Sequence, residues 1–114
     1  MSDCLFCRIR DGQIPAKVVH RDEHCLAFED INPQAPLHAL VIPNKHIATV
    51  NDLGPDDREV VGHLFTAAAK VAQQRGHAGN GYRVVMNTQR DAGQTVFHIH
   101  LHVLAGRPLE WPPG

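Results

Sequence analysis

The chain has 114 residues, of which 43% are hydrophobic and 20% charged, which suits one globular domain spanning residues 1–114. Eleven basic and twelve acidic residues give a formal net charge of −1, so charge offers no reason to expect binding to nucleic acid or to a membrane. No apolar run approaches the roughly 20 residues of a membrane span. The N-terminus lacks signal-peptide features and three cysteines argue against a disulfide framework, so we expect a cytoplasmic protein.

The first part of the chain predicts one short helix and three strands. Asp3 is a suitable N-cap for a helix from Cys4 to about Arg10, which ends at Gly12. Apolar runs bounded by turn residues then predict strands, with a proline-rich loop before the third. These three strands cover residues 17–20, 25–29 and 38–42.

The second part predicts a long helix and two further strands. Pro55 suits the first turn of a helix that runs to Arg75, and Gly76 suits its C-terminal cap. Helical spacing predicts that one face of this helix is buried, through Val60, Val61, Leu64, Phe65, Ala68, Val71 and Ala72. Strands follow at 82–87 and in a histidine-containing run after a loop over 88–95. The elements predict an α+β fold, a five-stranded antiparallel sheet with two helices, with the long helix and the histidines on opposite faces.

The last strand, FHIHLHV over 97–103, carries three histidines at alternate positions. Side chains two residues apart point to the same side of a strand. One row therefore consists of His98, His100 and His102. The opposite row, expected in the core, consists of Phe97, Ile99, Leu101 and Val103. Imidazole can act as metal ligand, general acid or base, or nucleophile, so the row alone leaves these functions open.

A loop immediately before the histidines has the composition of an anion site. Gly93, Gln94 and Thr95 could offer backbone N–H groups, an amide and a hydroxyl, and Asn87 ends the neighbouring strand. This pattern indicates a phosphate pocket beside a nucleophile. His38, which opens the apolar third strand, is the other histidine that stands out.

Cys4 and Cys7 have the Cys-x-x-Cys spacing of zinc ligands, but a closed tetrahedral site needs two further ligands. His46 and one histidine of the row could supply them. The alternatives are a redox pair, for which the surrounding pattern gives no support, and two reduced thiols on a short helix.

Together these motifs resemble the Hint branch of the histidine-triad (HIT) family. The signature of that family is matched by HIHLHVL at 98–104. Further matching segments are CLFC at 4–7, IPAK at 14–17, LAF at 26–28, DINPQAP at 30–36, LVIP at 40–43, KHI at 45–47, GYR at 81–83, AGQ at 92–94 and WPPG at 111–114. The resemblance covers practically the whole chain and implies a single HIT domain. Thr95 stands where such proteins often have Ser, but the hydroxyl is kept.

The resemblance implies an enzyme that hydrolyses purine nucleoside 5′-phosphoramidates to AMP or GMP and an amine, without a cofactor. His100 would be the nucleophile and form a nucleotidyl-histidine intermediate, while His102 would contact the phosphate. Asp30 would bind the ribose hydroxyls, and Ile31 would pack against base or sugar. The phosphate oxygens would be held by Asn87, Gly93, Gln94 and Thr95.

The resemblance also implies a structural zinc ion on Cys4, Cys7, His46 and His98, and a homodimer in which two sheets join and the tail after Gly106 reaches the partner's site. Two other functions stay open from the sequence. One is a nucleotide-binding regulatory or scaffold protein with incidental hydrolase activity. The other is a zinc-binding protein whose histidine row chelates metal; an anion loop beside His100 favours the hydrolase over this alternative.

Overall fold

The computed structural model describes residues 3–114 and has five strands and two α-helices. The helices are α1 (Leu5–Arg10) and α2 (Arg58–Gln74). The strands are β1 (Val18–Arg21), β2 (Cys25–Glu29), β3 (Leu37–Pro43), β4 (Tyr82–Val85) and β5 (Leu101–Ala105). The predicted α+β class, with an antiparallel five-stranded sheet and two helices, is confirmed. Within residues 3–114, neither α-helix combines the length and apolar character that crossing a bilayer requires.

The sheet has the strand order β1-β2-β3-β5-β4, and every neighbouring pair is antiparallel. The central strand, β3, is buried along its whole length. Strands buried on both faces need cover on both sides of the sheet. In the pairing of β3 with β5, His102 lies opposite Leu40, which places the last histidine of the row in the middle of the sheet.

The two helices cover opposite faces of the sheet. On one face α2 packs against a core cluster that includes Ala27, Val41 and Val103. On the other face Phe6 and Ile9 of α1 pack against a second cluster from β2 and β3, made of Leu26, Phe28, Leu40 and Ile42. Since side chains alternate along a strand, His102 shares the face of α1 rather than that of α2. The predicted separation of histidines and long helix is confirmed.

The first helix begins one residue later than predicted, and its N-cap is Cys4 rather than Asp3. The Cys4 backbone is extended, with φ −74° and ψ 120°, and its Sγ accepts the Cys7 N–H at 3.4 Å. The thiol of Cys4 therefore caps the helix in place of the predicted carboxylate of Asp3. The result is that Cys4 and Cys7 lie on the same side of the helix start.

The long helix also differs from its prediction in two respects. Pro55–Asp57 forms a separate 3₁₀ turn, closed by a hydrogen bond from the Gly54 N–H to the Asp57 carboxylate at 2.9 Å. Phe65, predicted in the core, is 51% exposed. It lies about 100° around the helix axis from the buried Leu64, at the border of the apolar stripe.

The strand with the histidines is shorter than predicted and begins at Leu101. Pairing with β3 cannot continue past this point because Pro43 has no N–H to donate. The preceding segment is instead held by a hydrogen bond from the Ile99 N–H to the Ile47 carbonyl at 2.8 Å. The prediction that Phe97 is in the core was wrong, since its side chain is 47% exposed, but Ile99 is buried as expected.

Candidate functional site

The three histidines of the row lie close together but belong to two different sites. His100 and His102, whose ring centroids are 5.0 Å apart, line a cavity of about 310 Å³ next to α1. His98 is fully buried, and its Nδ1 lies 3.4 Å from Cys4 Sγ. The alternating row is therefore divided between a cavity and a cluster of sulfur and nitrogen atoms.

The protonation of His100 follows from its surroundings. Its Nδ1 lies 2.9 Å from the carbonyl oxygen of His98, which can only accept a hydrogen bond. A neutral His100 therefore carries its proton on Nδ1 and keeps a lone pair on Nε2. Burial lowers the pKa of His100, against the weaker raising effects of that carbonyl and Asp30, so the ring is neutral at pH 7. A neutral imidazole with its Nε2 unprotonated is the nucleophilic form.

A chain of hydrogen bonds gives His102 the opposite tautomer. The Gln34 N–H donates to His38 Nδ1 at 3.0 Å, so a neutral His38 carries its proton on Nε2. That proton is donated to His102 Nδ1 at 2.9 Å. His102 must then carry its own proton on Nε2, where it can donate to a ligand. Burial, followed by the neighbouring imidazoles of His100 and His38, lowers the pKa of His102 to about 4.

His38 is the functional residue whose role the sequence did not assign. Its ring is 6% exposed, and burial lowers its pKa although the carboxylate of Asp30 opposes the shift. Its Nε2 lies 3.4 Å from Asp30 Oδ2 as well as near His102. The one signal in the sequence was the position of a histidine at the start of an apolar strand.

The cavity beside these histidines is mainly apolar. Its wall includes Phe6 and Ile9 from α1 and Phe28 and Leu40 from the sheet. The imidazoles of His100 and His102 form a polar end. A concave apolar chamber with a few convergent polar groups is the usual form of a small-molecule site.

Asp30 and Ile31, which are predicted to contact the ribose and the base or sugar, both line the cavity. Asp30 follows β2 and is fixed by its own N–H, which donates to the His38 carbonyl at 2.9 Å. One of its carboxylate oxygens accepts the Asn32 N–H at 2.8 Å. Ile31 is 100% exposed, and an apolar side chain so fully exposed beside a cavity is available to pack on a ligand.

The loop predicted to hold phosphate contributes unequally. Thr95 lines the cavity, whereas Gln94 is 5% exposed and braces the loop from within. The Gln94 amide donates to the Ala48 carbonyl at 2.8 Å and accepts the Gln89 N–H at 2.9 Å. Gly93 has a left-handed φ of +87°, which glycine tolerates, and its N–H is used in the preceding turn.

Asn87 and Gly93 do not line the cavity described above. Val85 pairs with His102, so Asn87, two residues further along, lies beyond the end of β4 on the side toward His100. This position is compatible with the predicted phosphate contact. The contacts of Gln94, in contrast, show that its amide supports the loop.

The four residues predicted to hold zinc come together at the start of α1. The distances are 3.4 Å from Cys4 Sγ to His98 Nδ1, 3.3 Å from Cys7 Sγ to His46 Nδ1, and 3.2 Å between the two Nδ1 atoms. In a tetrahedral zinc site two ligand nitrogens lie about 3.4 Å apart, and a nitrogen and a sulfur about 3.6 Å apart. The donor atoms are thus spaced as the edges of such a tetrahedron.

The orientation of the two rings also fits a metal. His98 Nε2 lies 2.8 Å from the Pro43 carbonyl oxygen, so the ring donates there and keeps its Nδ1 lone pair directed at the sulfur atoms. The rings of His46 and His98 are nearly perpendicular, at 83°. Burial lowers the pKa of His98 to about 4, which maintains the neutral form that a metal needs. The donor spacing and the ring orientation of these four residues therefore both fit a zinc ion.

A second cluster of potential metal ligands, two histidines and one glutamate, lacks the ring orientation that a metal site requires. His24, Glu59 and His63 have ligand atoms within 4.8 Å of one another. The two imidazoles, however, are stacked at 3.7 Å with an angle of 9° between their planes. Lone pairs in parallel planes do not converge on one ion, so we interpret this pair as a surface ring stack.

Comparison with known proteins places these features in one family. Residues 11–109 match the HIT domain family. The purine nucleoside phosphoramidase of Escherichia coli K12 is 49% identical over 107 residues, which cover 94% of this chain and 90% of that protein. An uncharacterised HIT-like protein of Synechocystis is 47% identical over 112 residues, 98% of this chain and 97% of that one.

Solved structures agree with the sequence matches. A HIT family hydrolase from Legionella pneumophila superposes with a TM-score of 0.96 at 54% identity, covering 98% of this chain and all of that one. A histidine triad protein from Clostridium difficile gives a TM-score of 0.93 at 41% identity over 96% of each chain. The match over residues 11–109 and relatives of 47–49% identity along almost the whole chain show that this chain belongs to the HIT domain family.

Proposed function

We propose that this HIT family hydrolase cleaves the P–N bond of purine nucleoside 5′-phosphoramidates. The observation that carries the proposal is the 2.9 Å hydrogen bond between His100 Nδ1 and the His98 carbonyl, which leaves Nε2 unprotonated on a residue that lines a mainly apolar cavity. The name of the E. coli relative, purine nucleoside phosphoramidase, supports the same substrate class.

The reaction has two steps. His100 Nε2 attacks the α-phosphorus, the P–N bond breaks, and the leaving amine nitrogen takes up a proton from solvent. Water then attacks the phosphorus of the nucleotidyl-histidine and loses its protons to solvent, and the bond from phosphorus to His100 breaks, which releases the nucleoside 5′-monophosphate and regenerates the neutral imidazole. Dividing one difficult displacement into two easier ones is the advantage of a covalent intermediate.

The neighbouring groups have complementary roles in this scheme. The Nε2–H of His102 donates to a phosphoryl oxygen, and the Thr95 hydroxyl and Asn87 amide donate to others. Asp30 accepts hydrogen bonds from the ribose hydroxyls, and Ile31 packs against the sugar or base. The Phe6 side of the cavity receives the purine, because an apolar wall suits a planar base.

We also propose a structural zinc ion on Cys4, Cys7, His46 and His98. Bound there, zinc would link the start of α1 to the loops that carry the two histidines and add folding stability. His100 is not among these four residues, so zinc bound there would leave its imidazole free.

A homodimer completes the proposal. β4 lies at an edge of the sheet, where unpaired backbone groups can extend the sheet into a second subunit. The exposed aromatic side chains of Phe65, Tyr82 and Trp111 supply apolar surface for such an interface.

The decisive experiment compares wild-type protein with His100→Gly and with His63→Ala, a histidine outside the cavity, using adenosine 5′-phosphoramidate. We expect His100→Gly to lower kcat by roughly 10³-fold or more and to retain AMP binding, because only the nucleophile is lost. His63→Ala should match wild type. If His100→Gly keeps more than about a tenth of wild-type kcat, the assignment of the nucleophile is wrong.

A further inference from the structure

The two sides of the short helix α1 border two different sites. On one side Cys4 and Cys7 contact His46 and His98. On the other side its residues Leu5, Phe6 and Ile9 form part of the wall of the nucleotide cavity. A six-residue helix thus separates the proposed metal site from the proposed substrate site.

Phe6 connects these two sites directly. Its ring is 4% exposed and makes edge-to-face contacts with His100 at 5.0 Å and 87°, and with His98 at 6.1 Å and 68°. A third contact of the same kind, at 5.5 Å, joins it to Phe28 in the sheet. Phe6 therefore lies against both the proposed nucleophile and a proposed metal ligand.

A helix of this length is not stable by itself, because helix nucleation is costly and needs tertiary support. Part of the support is the apolar contact of Phe6 and Ile9 with the sheet. Further support lies at the N-terminus, where the Cys4 carbonyl accepts the Arg8 N–H at 3.1 Å and its Sγ accepts the Cys7 N–H. An ion that binds both thiols would fix this end of the helix and, with it, the cavity wall.

We infer that the metal site and the nucleotide cavity are thermodynamically coupled through α1, with Phe6 as the positioning residue that transmits the effect. The inference rests on the proposed function and adds a form of regulation to it: metal occupancy sets nucleotide affinity. Coupling between two binding sites is reciprocal, so AMP must raise the affinity for zinc by the factor by which zinc raises the affinity for AMP.

The test measures this factor from both directions by calorimetry. AMP is titrated into zinc-loaded and chelator-treated protein, and zinc is titrated with and without saturating AMP. We expect one zinc per chain and an AMP Kd at least about 5-fold lower in the zinc-loaded form, the lower end of the usual range of coupling. Hydrogen exchange should show stronger protection of the Arg8 amide when zinc is bound.

Three variants localise the effect. Cys4→Ser should give the AMP Kd of the chelator-treated protein whether or not zinc is added, which excludes direct zinc–AMP association. Phe6→Leu keeps an apolar side chain but loses the ring, so it should still bind one zinc while the coupling factor falls towards 1. His24→Ala, on the opposite side of the sheet, should behave as wild type, and thermal unfolding verifies that each variant is folded.

The outcomes separate this inference from the proposed function. Equal AMP affinity in zinc-loaded and chelator-treated wild type overturns the coupling but leaves the hydrolase intact. Zinc binding below one ion per chain, or a coupling factor unchanged in Phe6→Leu, also overturns it. Absence of AMP binding in both forms overturns the proposed function together with the inference.

Discussion

Two cavity histidines of one chain adopt opposite tautomers at pH 7 because each has a different partner on Nδ1. His100 donates from Nδ1 to a carbonyl, whereas His102 accepts at Nδ1 from His38. Burial lowers the pKa of all three rings, so none is charged near neutrality. The consequence is one nucleophilic nitrogen and one hydrogen-bond donor, side by side, made from the same residue type.

The buried imidazole of His102 makes stability depend on pH. Its pKa is about 4 in the folded protein against an ordinary 6.5, so the unfolded chain binds more protons between these values. The stabilisation is fully present above pH 6.5 and is lost as the pH falls towards 4. One such group contributes a slope of up to about 1.4 kcal/mol per pH unit.

We therefore expect His102→Asn to show a smaller decrease in the free energy of unfolding between pH 6.5 and 4 than wild type does. Urea denaturation at several pH values measures this slope. Thr66→Ala, on α2 away from the cavity, serves as the control and should keep the wild-type slope, because neither side chain titrates in this range. An unchanged slope in His102→Asn would contradict the assigned pKa shift.

At the scale of elements, the end of β5 packs closely against the loop over 30–36, which carries Asp30. Gly106 has a φ of +98°, and a Cβ at this position would lie 2.7 Å from Pro36 Cβ. Glycine is needed here both for its backbone conformation and for the close approach of the proline ring. The same loop is tied down by Arg107, whose guanidinium donates to the Gln34 carbonyl at 3.0 Å.

Gly106→Ala should lower the free energy of unfolding by about 2–4 kcal/mol, from left-handed backbone strain and overpacking together. Gly79→Ala is the matched control, because a Cβ there meets nothing within 4 Å and its φ is not positive. Urea denaturation of both variants checks the prediction. Equal stabilities would mean that the loop moves aside at little cost.

The sequence predicted best those elements in which apolar residues recur with a regular spacing. Alternation placed His102 on the cavity face, and helical spacing found the buried side of α2, although it included the exposed Phe65 and left out the buried Ala67. Phe97 was misplaced because the strand stops before it, a limit set by Pro43 on another strand. Side-chain hydrogen bonds such as those of Gln94 join residues distant in sequence, and no local pattern reveals them.

For the whole molecule, the C-terminal tail over 107–114 lies outside the helices and strands, and most of its residues are exposed. The Glu110 carbonyl accepts a hydrogen bond from Arg83 at 2.8 Å, but Trp111 is 82% exposed. A large exposed aromatic side chain followed by two prolines gains stability where another surface covers it. In the proposed homodimer, we expect the second subunit to supply that surface, on the leaving-group side of its cavity.

Deletion of residues 109–114 should therefore change the ranking of kcat/KM among phosphoramidates with different amines, while AMP affinity stays near that of wild type. Light scattering on both proteins determines whether the subunits still associate. Trp111→Ala in the full-length chain separates the contribution of the indole from that of the tail backbone. The same ranking in wild type and truncated protein would show that the tail has no part in leaving-group selection.

The partner of His100 Nδ1 has an implication for how mutations act on the proposed nucleophile. That partner is a main-chain carbonyl, which remains whatever side chain residue 98 carries. The tautomer of His102, in contrast, depends on the imidazole of His38, which one substitution removes. The tautomer of His100 is thus insensitive to the side chain at residue 98, whereas the tautomer of His102 depends on one side chain, so substitution of His38 should reverse or free the proton position on His102 while no substitution at residue 98 removes the acceptor of His100.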